Sequence, residues 1–234
     1  MQGPAVIAVA RFLQQSRRSR LFAAAMLLLC GAQLALAVPA FRAEMTQLAV
    51  ESRVTGWESA EIVPQPAEFD RAYTELEAAL QRRPRWATLY ELRARLTMQA
   101  INDPDIAVDA LDAVVESARA DLDAAAALRP TWPRIPLLQL GLDSLMYLAG
   151  GEQYQRHALR AFRLTISSRI YLEPLLEVTV GDWPRLDPAT RELTLAGLED
   201  LSTVAPRRVR NLLRDAPGRE EICALRDLEP GCPP

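Results

Sequence analysis

Lysine is absent from the 234-residue chain, so all 27 basic residues are arginine and every lysine-based mechanism is excluded. Histidine occurs once, and of the three cysteines Cys30 lies in an apolar run while Cys223 and Cys232 are placed to pair with each other, which leaves too few ligands for a zinc cluster. Glycine is sparse at ten residues, and the chain holds no phosphate-binding glycine loop, no dinucleotide fingerprint and no Gly-x-Ser-x-Gly elbow. A net charge of −3 lacks the basic surplus that neutralises phosphates, which argues against nucleic acid as a partner. The positive charge that exists is uneven. Residues 1–20 carry Arg11, Arg17, Arg18 and Arg20 with no acid, leaving the rest of the chain more acidic than the total suggests.

What the chain has in abundance is alanine and leucine, within a hydrophobic share of 50%. Both lose little side-chain freedom in a helical turn, and strand-favouring runs are scarce, so the expected fold class is all-α. The first strong feature is Leu21 to Phe41, LFAAAMLLLCGAQLALAVPAF, with no charged residue and only Gln33 strongly polar. At 1.5 Å per residue such a segment spans about the 30 Å hydrocarbon core of a bilayer. Arg17, Arg18 and Arg20 precede it, while Arg42 and Arg53 on the far side are mixed with Glu44 and Glu51. That bias keeps the N-terminus cytoplasmic and exports the rest across a bacterial inner membrane. Two readings of the segment stand: a retained single-pass anchor, or a signal peptide cut after Ala37 at the small-x-small site Ala35-Leu36-Ala37, which frees the domain into the periplasm. The long basic n-region and the hydrophobicity continuing to Phe41 favour the anchor. Cys30 lies within the span, and Leu29 before it is too large for a lipidation site.

The other cysteines, Cys223 and Cys232, sit nine positions apart with Pro230 and Gly231 between them to turn the chain. In an oxidising compartment they pair and staple the tail; otherwise they are two free thiols.

Residues 1–20 read as a cytoplasmic basic segment and 21–41 as the anchor. Residues 42–66, with Gly56, Pro64, Pro66 and no sustained period, read as a stalk whose Trp57 meets either the membrane interface or the domain. From Ala67 a helical stripe begins: Phe69, Tyr73, Leu76 and Leu80 share one face, and the helix ends before Pro84. A second helix spans 87–100. A third opens at the Asn102-Asp103-Pro104 cap and runs to Leu128. Further helices are expected over 135–148, 153–166, 170–179, 188–203, 206–214 and 219–227, with Asp187-Pro188 another cap.

An internal likeness joins two stretches at an offset of 46: Ala79-Leu80-Gln81-Arg82-Arg83-Pro84-Arg85-Trp86 and Ala125-Ala126-Ala127-Leu128-Arg129-Pro130-Thr131-Trp132 share Arg-Pro-x-Trp. Ala72, Leu76, Leu89, Leu92 and Leu96 match Ala118, Leu122, Ile135, Leu138 and Leu142. Each copy reads as helix, proline turn, tryptophan, helix, the unit of an antiparallel helix-pair solenoid. These residues resemble tetratricopeptide units over roughly 67–150, although the offset is longer than the usual repeat and most of the consensus small residues are missing. Residues 151–234 then form a C-terminal helical extension. The layout of one anchor, Arg-Pro-x-Trp turns and a helical tail also resembles the small tetratricopeptide-like accessory proteins of bacterial exopolysaccharide assembly. That resemblance implies a non-catalytic partner of polymerising or exporting machinery.

Catalytic constellations are thin. His157, between Arg156 and Arg160, reads as a surface residue; Glu173, Glu177 and Asp182, or Asp109 and Asp112, read as solvated helix faces. Trp86 and Trp132 suit either packing or stacking on sugar rings. Arg207, Arg210 and Arg214 fall at i, i+3, i+7 on one helix, a solvated face or a surface for an acidic partner. The expected function is a non-enzymatic, membrane-tethered periplasmic scaffold or adaptor of exopolysaccharide or envelope assembly. Its expected partners are the membrane, protein components of that machinery and its polysaccharide, with no cofactor and no metal. The alternative is a periplasmic glycan-binding protein or glycan-acting enzyme.

Overall fold

The computed structural model describes residues 4–101, 106–165, 169–225 and 232, and among these the chain is helical with no strand. Its helices are α1 (Pro4–Ala60), α2 (Pro66–Arg82), α3 (Ala87–Ile101), α4 (Val108–Leu128), α5 (Arg134–Leu145), α6 (Glu152–Thr165), α7 (Leu172–Gly181), α8 (Pro188–Val204), α9 (Pro206–Leu213) and α10 (Arg219–Leu225). Short 3₁₀ turns precede α7 and α8.

The part of α1 over Ala24–Ala60 includes a stretch long and apolar enough to cross a membrane, which fits an anchor or a signal sequence. Side chains around its start point into open surroundings: Leu21, Phe22, Leu27 and Leu28 are each at least 70% exposed. The reading of 42–66 as a stalk without a helical period is corrected by the structure. Residues 42–60 continue α1, and Ala43, Val50 and Val54 are fully buried in one core with Ala72, Leu76 and Ala79 of α2 and Leu89, Leu92 and Leu96 of α3. Trp57 packs on that core. The period is there, but carried by small residues and Gln47, which makes a weak hydrophobic stripe. Pro39 lies within α1, where it removes one backbone hydrogen bond to the preceding turn.

Helices α2 to α6 pack on one another in chain order, and α1, α3 and α5 also touch in succession. Direction is set by named pairs. Arg83, at the end of α2, lies 3.6 Å from Glu44 near the apolar part of α1, so α2 runs antiparallel to α1. Ala87, Ala125 and Ile135 share one small core, which brings the start of α3, the end of α4 and the start of α5 to that same end. Arg160 of α6 donates to the Pro130 carbonyl at 2.8 Å, directing the end of α6 there too.

The second large core joins α6 to α10 around Tyr154, Trp183 and Leu198, all fully buried. Gly150, at φ 86°, occupies the left-handed region, and a Cβ there would stand 2.2 Å from the Arg185 carbonyl oxygen. The helix expected over 135–148 stops at Leu145, where Met146 caps it and Tyr147 turns left-handed. The cap residues 102–104 lie outside the described residues; the described part of the third helix begins at Val108 with extended Ala107 as its cap.

Asp187 caps α8 by accepting from the Ala189 and Thr190 amides at 2.9 and 3.1 Å. Its partial burial is outweighed by these bonds and the Thr190 hydroxyl, so its carboxyl sits below the ordinary value of 3.8. A depressed folded-state pKa means the ionised cap stabilises above pH 3.8 and the contribution fades as pH falls through the folded value. Asp187→Ala is expected to lower stability by about 1 kcal/mol at neutral pH and by less in acid, read by urea unfolding of the detergent-solubilised chain. Equal losses at both pH values would contradict the capping role.

Candidate interaction surface at the Arg-Pro-x-Trp turns

Proline fixes the local geometry of both turns. It has no amide to donate to the preceding turn and it disfavours the α region for the residue before it. Arg83 before Pro84 takes φ −137°, ψ 72°, and Arg129 before Pro130 takes φ −137°, ψ 74°. Each closes its helix with one hydrogen bond from its backbone N–H, Arg83 donating to the Ala79 carbonyl and Arg129 to the Ala125 carbonyl, both at 2.9 Å. The Trp86 amide returns to the Arg83 carbonyl at 3.3 Å, and the Trp132 amide to Arg129 at 3.2 Å. In each turn the guanidinium then lies over the indole that follows, 4.6 Å from the Trp86 ring centre and 5.0 Å from that of Trp132, within cation–π range.

Both tryptophans are half-buried, Trp86 against the α1–α3 core and Trp132 against Ala87 and Ile135, with Tyr90 touching both cores. The structure therefore brings Trp86 and Trp132 to one end of the helix layers. It does not bring Arg207, Arg210 and Arg214 with them. Arg207 and Arg210 are exposed on α9 and Arg214 is exposed at its C-terminal cap, while Val209 and Leu213 of the same helix are buried in the other large core. Arg208 beside them pairs with Glu173 of α7, and Arg214 donates to the Asn211 side chain at 2.7 Å.

Behind the turns a charged network ties three helices together. Arg95 of α3 is 3% exposed and donates to Glu58 of α1 at 2.9 Å and to the Thr55 hydroxyl at 3.2 Å. Glu91, one turn earlier and 2% exposed, lies 3.6 Å from Arg95 and 2.9 Å from Arg134 of α5. Burial pushes the Glu91 carboxyl above its ordinary range against the pull of Arg134 and Arg95. Arg93 grips Asp121 of α4 with two bonds of 2.7 and 2.6 Å, a fork that locks α3 to α4.

Two polar residues read as solvated are corrected. His157 is mostly covered, its Nδ1 standing 2.8 Å from Asp143 of α5, which is itself 1% exposed. Asp182 is buried and accepts from the Tyr154 hydroxyl at 2.9 Å; burial, then the Asp182 charge, raises the phenol well above its ordinary value. A helical period at 154, 158 and 161 in α6 is the sequence signal that leaves His157 beside a buried stripe. Also unforeseen is a cavity of about 570 Å³ between α6, α7 and α8, lined by Phe162, Leu172, Leu193 and Gly197 with Arg163 and Asp200. No group of three His, Cys, Asp or Glu side chains suited to a metal ion forms among the described residues.

Cys223 of α10 and Cys232 form a disulfide with their Cα atoms 5.8 Å apart. Cys223→Ser is expected to lose about 2–3 kcal/mol on the loop-closure model, and dithiothreitol should produce the same loss in the unmutated chain. A variant as stable as the parent would show that the tail contributes nothing.

No protein-family model, curated protein or solved structure matches this chain.

Proposed function

We propose that this chain is a membrane-tethered periplasmic scaffold or adaptor of exopolysaccharide or cell-envelope assembly, acting by protein–protein contact and not by catalysis. One observation carries the reading. The apolar helix and the helical domain are a single element, because α1 runs without interruption from the apolar segment into a core it shares with α2 and α3. A domain fixed in this way presents its surfaces at a set height and direction, as an adaptor requires and a freely diffusing enzyme does not. In this reading the helix pairs stack as in tetratricopeptide proteins, with α1, α3 and α5 as successive first helices and α2 and α4 as their partners. The matching geometry of the two Arg-Pro-x-Trp turns supports that register. The sugar-stacking alternative is weakened because a guanidinium already occupies one face of each indole.

Crosslinking of the full chain in native membranes, followed by identification of the adducts, tests the proposal. Adducts with a polymerase, a glycosyltransferase or an export component are expected, and Arg207→Glu, at an exposed position of α9, should reduce them with an unchanged far-ultraviolet spectrum. Turnover of a glycan by the purified chain would overturn the reading in favour of an enzyme.

A further inference from the structure

The helix layers are electrically polarised along α1. Residues 58–70, which cover the end of α1, the link and the first turn of α2, contain four acids and no base, one of them the Glu58 that Arg95 holds, whereas 78–90 and 124–142 contain five arginines and no acid. The basic stretches are the two Arg-Pro-x-Trp turns with their flanking helix ends, and the Arg83–Glu44 pair places them at the end of the layers nearest the apolar part of α1. Arg82, Arg85 and Arg129 are exposed there.

Height can be read from α1 itself. Glu44 follows Phe41 by three residues, about 4.5 Å along the helix axis. The headgroup layer beyond the hydrocarbon is about 5–7 Å deep on each side, so Glu44 and the guanidinium paired with it fall within that layer. Residue 60, by contrast, stands about 28 Å further out than Phe41, clear of the bilayer. Phe41, Met45 and Leu48 stay exposed on one side of α1, at 62%, 51% and 60%, while Ala43 and Val50 face the domain. Tryptophan beside arginine is also the pairing that membrane–water interfaces favour: an amphipathic ring at headgroup level and a cation for the phosphate.

We infer that the Arg-Pro-x-Trp end of the domain docks on anionic lipid headgroups of the bilayer that α1 crosses, with Arg82, Arg85 and Arg129 contacting phosphate and Trp86 and Trp132 lying at headgroup level. The inference rests on α1 being a retained span. Docking holds the domain against the membrane with its acidic end outward, which fixes the orientation in which a partner meets it.

The test uses the full chain in lipid nanodiscs of phosphatidylcholine, alone or mixed with phosphatidylglycerol, with a nitroxide on a fraction of the headgroups. Quenching of Trp86 and Trp132 is taken as the difference between the chain and its Trp86→Phe/Trp132→Phe variant. Quenching should deepen as phosphatidylglycerol is added and should weaken in 1 M salt, where the Debye length shrinks to about 3 Å. Arg82→Gln and Arg85→Gln, both at exposed positions, should each raise the phosphatidylglycerol fraction needed for half-maximal quenching by about fivefold. Unchanged far-ultraviolet spectra would show these variants to be folded. Quenching that ignores phosphatidylglycerol in a chain resistant to carbonate extraction would overturn the docking while leaving the anchor intact. Release of the chain by carbonate would remove the anchor and the docking together. Variants that lose a crosslinked acidic protein but keep the lipid response unaltered would assign the arginines to that protein and overturn the inference.

Discussion

Arg95→Ala is expected to lower the stability of the chain by about 3 kcal/mol. The side chain is 3% exposed and is the junction between Glu58 and Thr55 of α1 and Glu91 of its own helix. Truncating it leaves Glu91 buried with Arg134 alone and leaves Glu58 without its fork. The loss comes mostly from the charges stranded behind, since a buried pair replaced whole by apolar groups of similar volume is often neutral. A double-mutant cycle separates the two effects: Arg95→Met with Glu91→Leu should cost less than the sum of the single changes. The consequence for the molecule exceeds the energy. Arg95 holds α3 to the outer part of α1, so its loss loosens the domain from the helix that positions it. Denaturant unfolding followed by tryptophan fluorescence reads the stability, and a change below about 1 kcal/mol would show that the network is solvated in practice.

Trp183→Ala should lose about 3–5 kcal/mol, in the other core. The ring is fully buried, its Nε1 donates to Glu221 at 2.9 Å, and Arg191 lies over its face at 5.2 Å from the ring centre. Gly218 closes the pocket: a Cβ there would meet Cδ1 of the ring at 1.9 Å and Cγ at 2.4 Å, so the ring or the backbone must shift. Gly218→Val therefore attacks the same site from the other side, and the two substitutions together should cost less than their sum, because each removes the packing the other depends on. Losses confined to the α6–α10 part, with the α1–α3 contacts intact, are expected from hydrogen exchange. A loss spread evenly over both cores would mean that they unfold as one unit.

The helices and the proline turns were legible in the sequence because their signals are strong and local. Phe69, Tyr73, Leu76 and Leu80 announce α2, Asp187-Pro188 announces α8, and Pro84 and Pro130 stand just past the ends of α2 and α4. The helical nature of 42–60 was not legible, since its inward stripe of Ala43, Gln47, Val50 and Val54 is built from small or polar residues, and Gly56 reads as a breaker. Buried charge was the other blind spot. Glu91, Arg95, Asp143 and Asp182 look like ordinary helix-surface residues until packing shows that their partners come from neighbouring helices. The two tryptophans were visible as a pair, but their meeting at one end depends on the direction of each helix, and ion pairs such as Arg83 with Glu44 set that direction. Arg207 and Arg210 share the exposed side of α9 with Arg214 at its cap, yet they belong to a different part of the molecule from the tryptophans.

The central claim is that the apolar helix is retained and carries the domain outside the membrane as one continuous element. Intact mass of the chain isolated from the membrane fraction, after protease treatment of spheroplasts as a parallel arm, tests it most directly. The account predicts a full-length species of 26.0 kDa that resists carbonate extraction, and a domain digested from the outside. A soluble species beginning at Val38, or a domain protected until the membrane is opened, would contradict it.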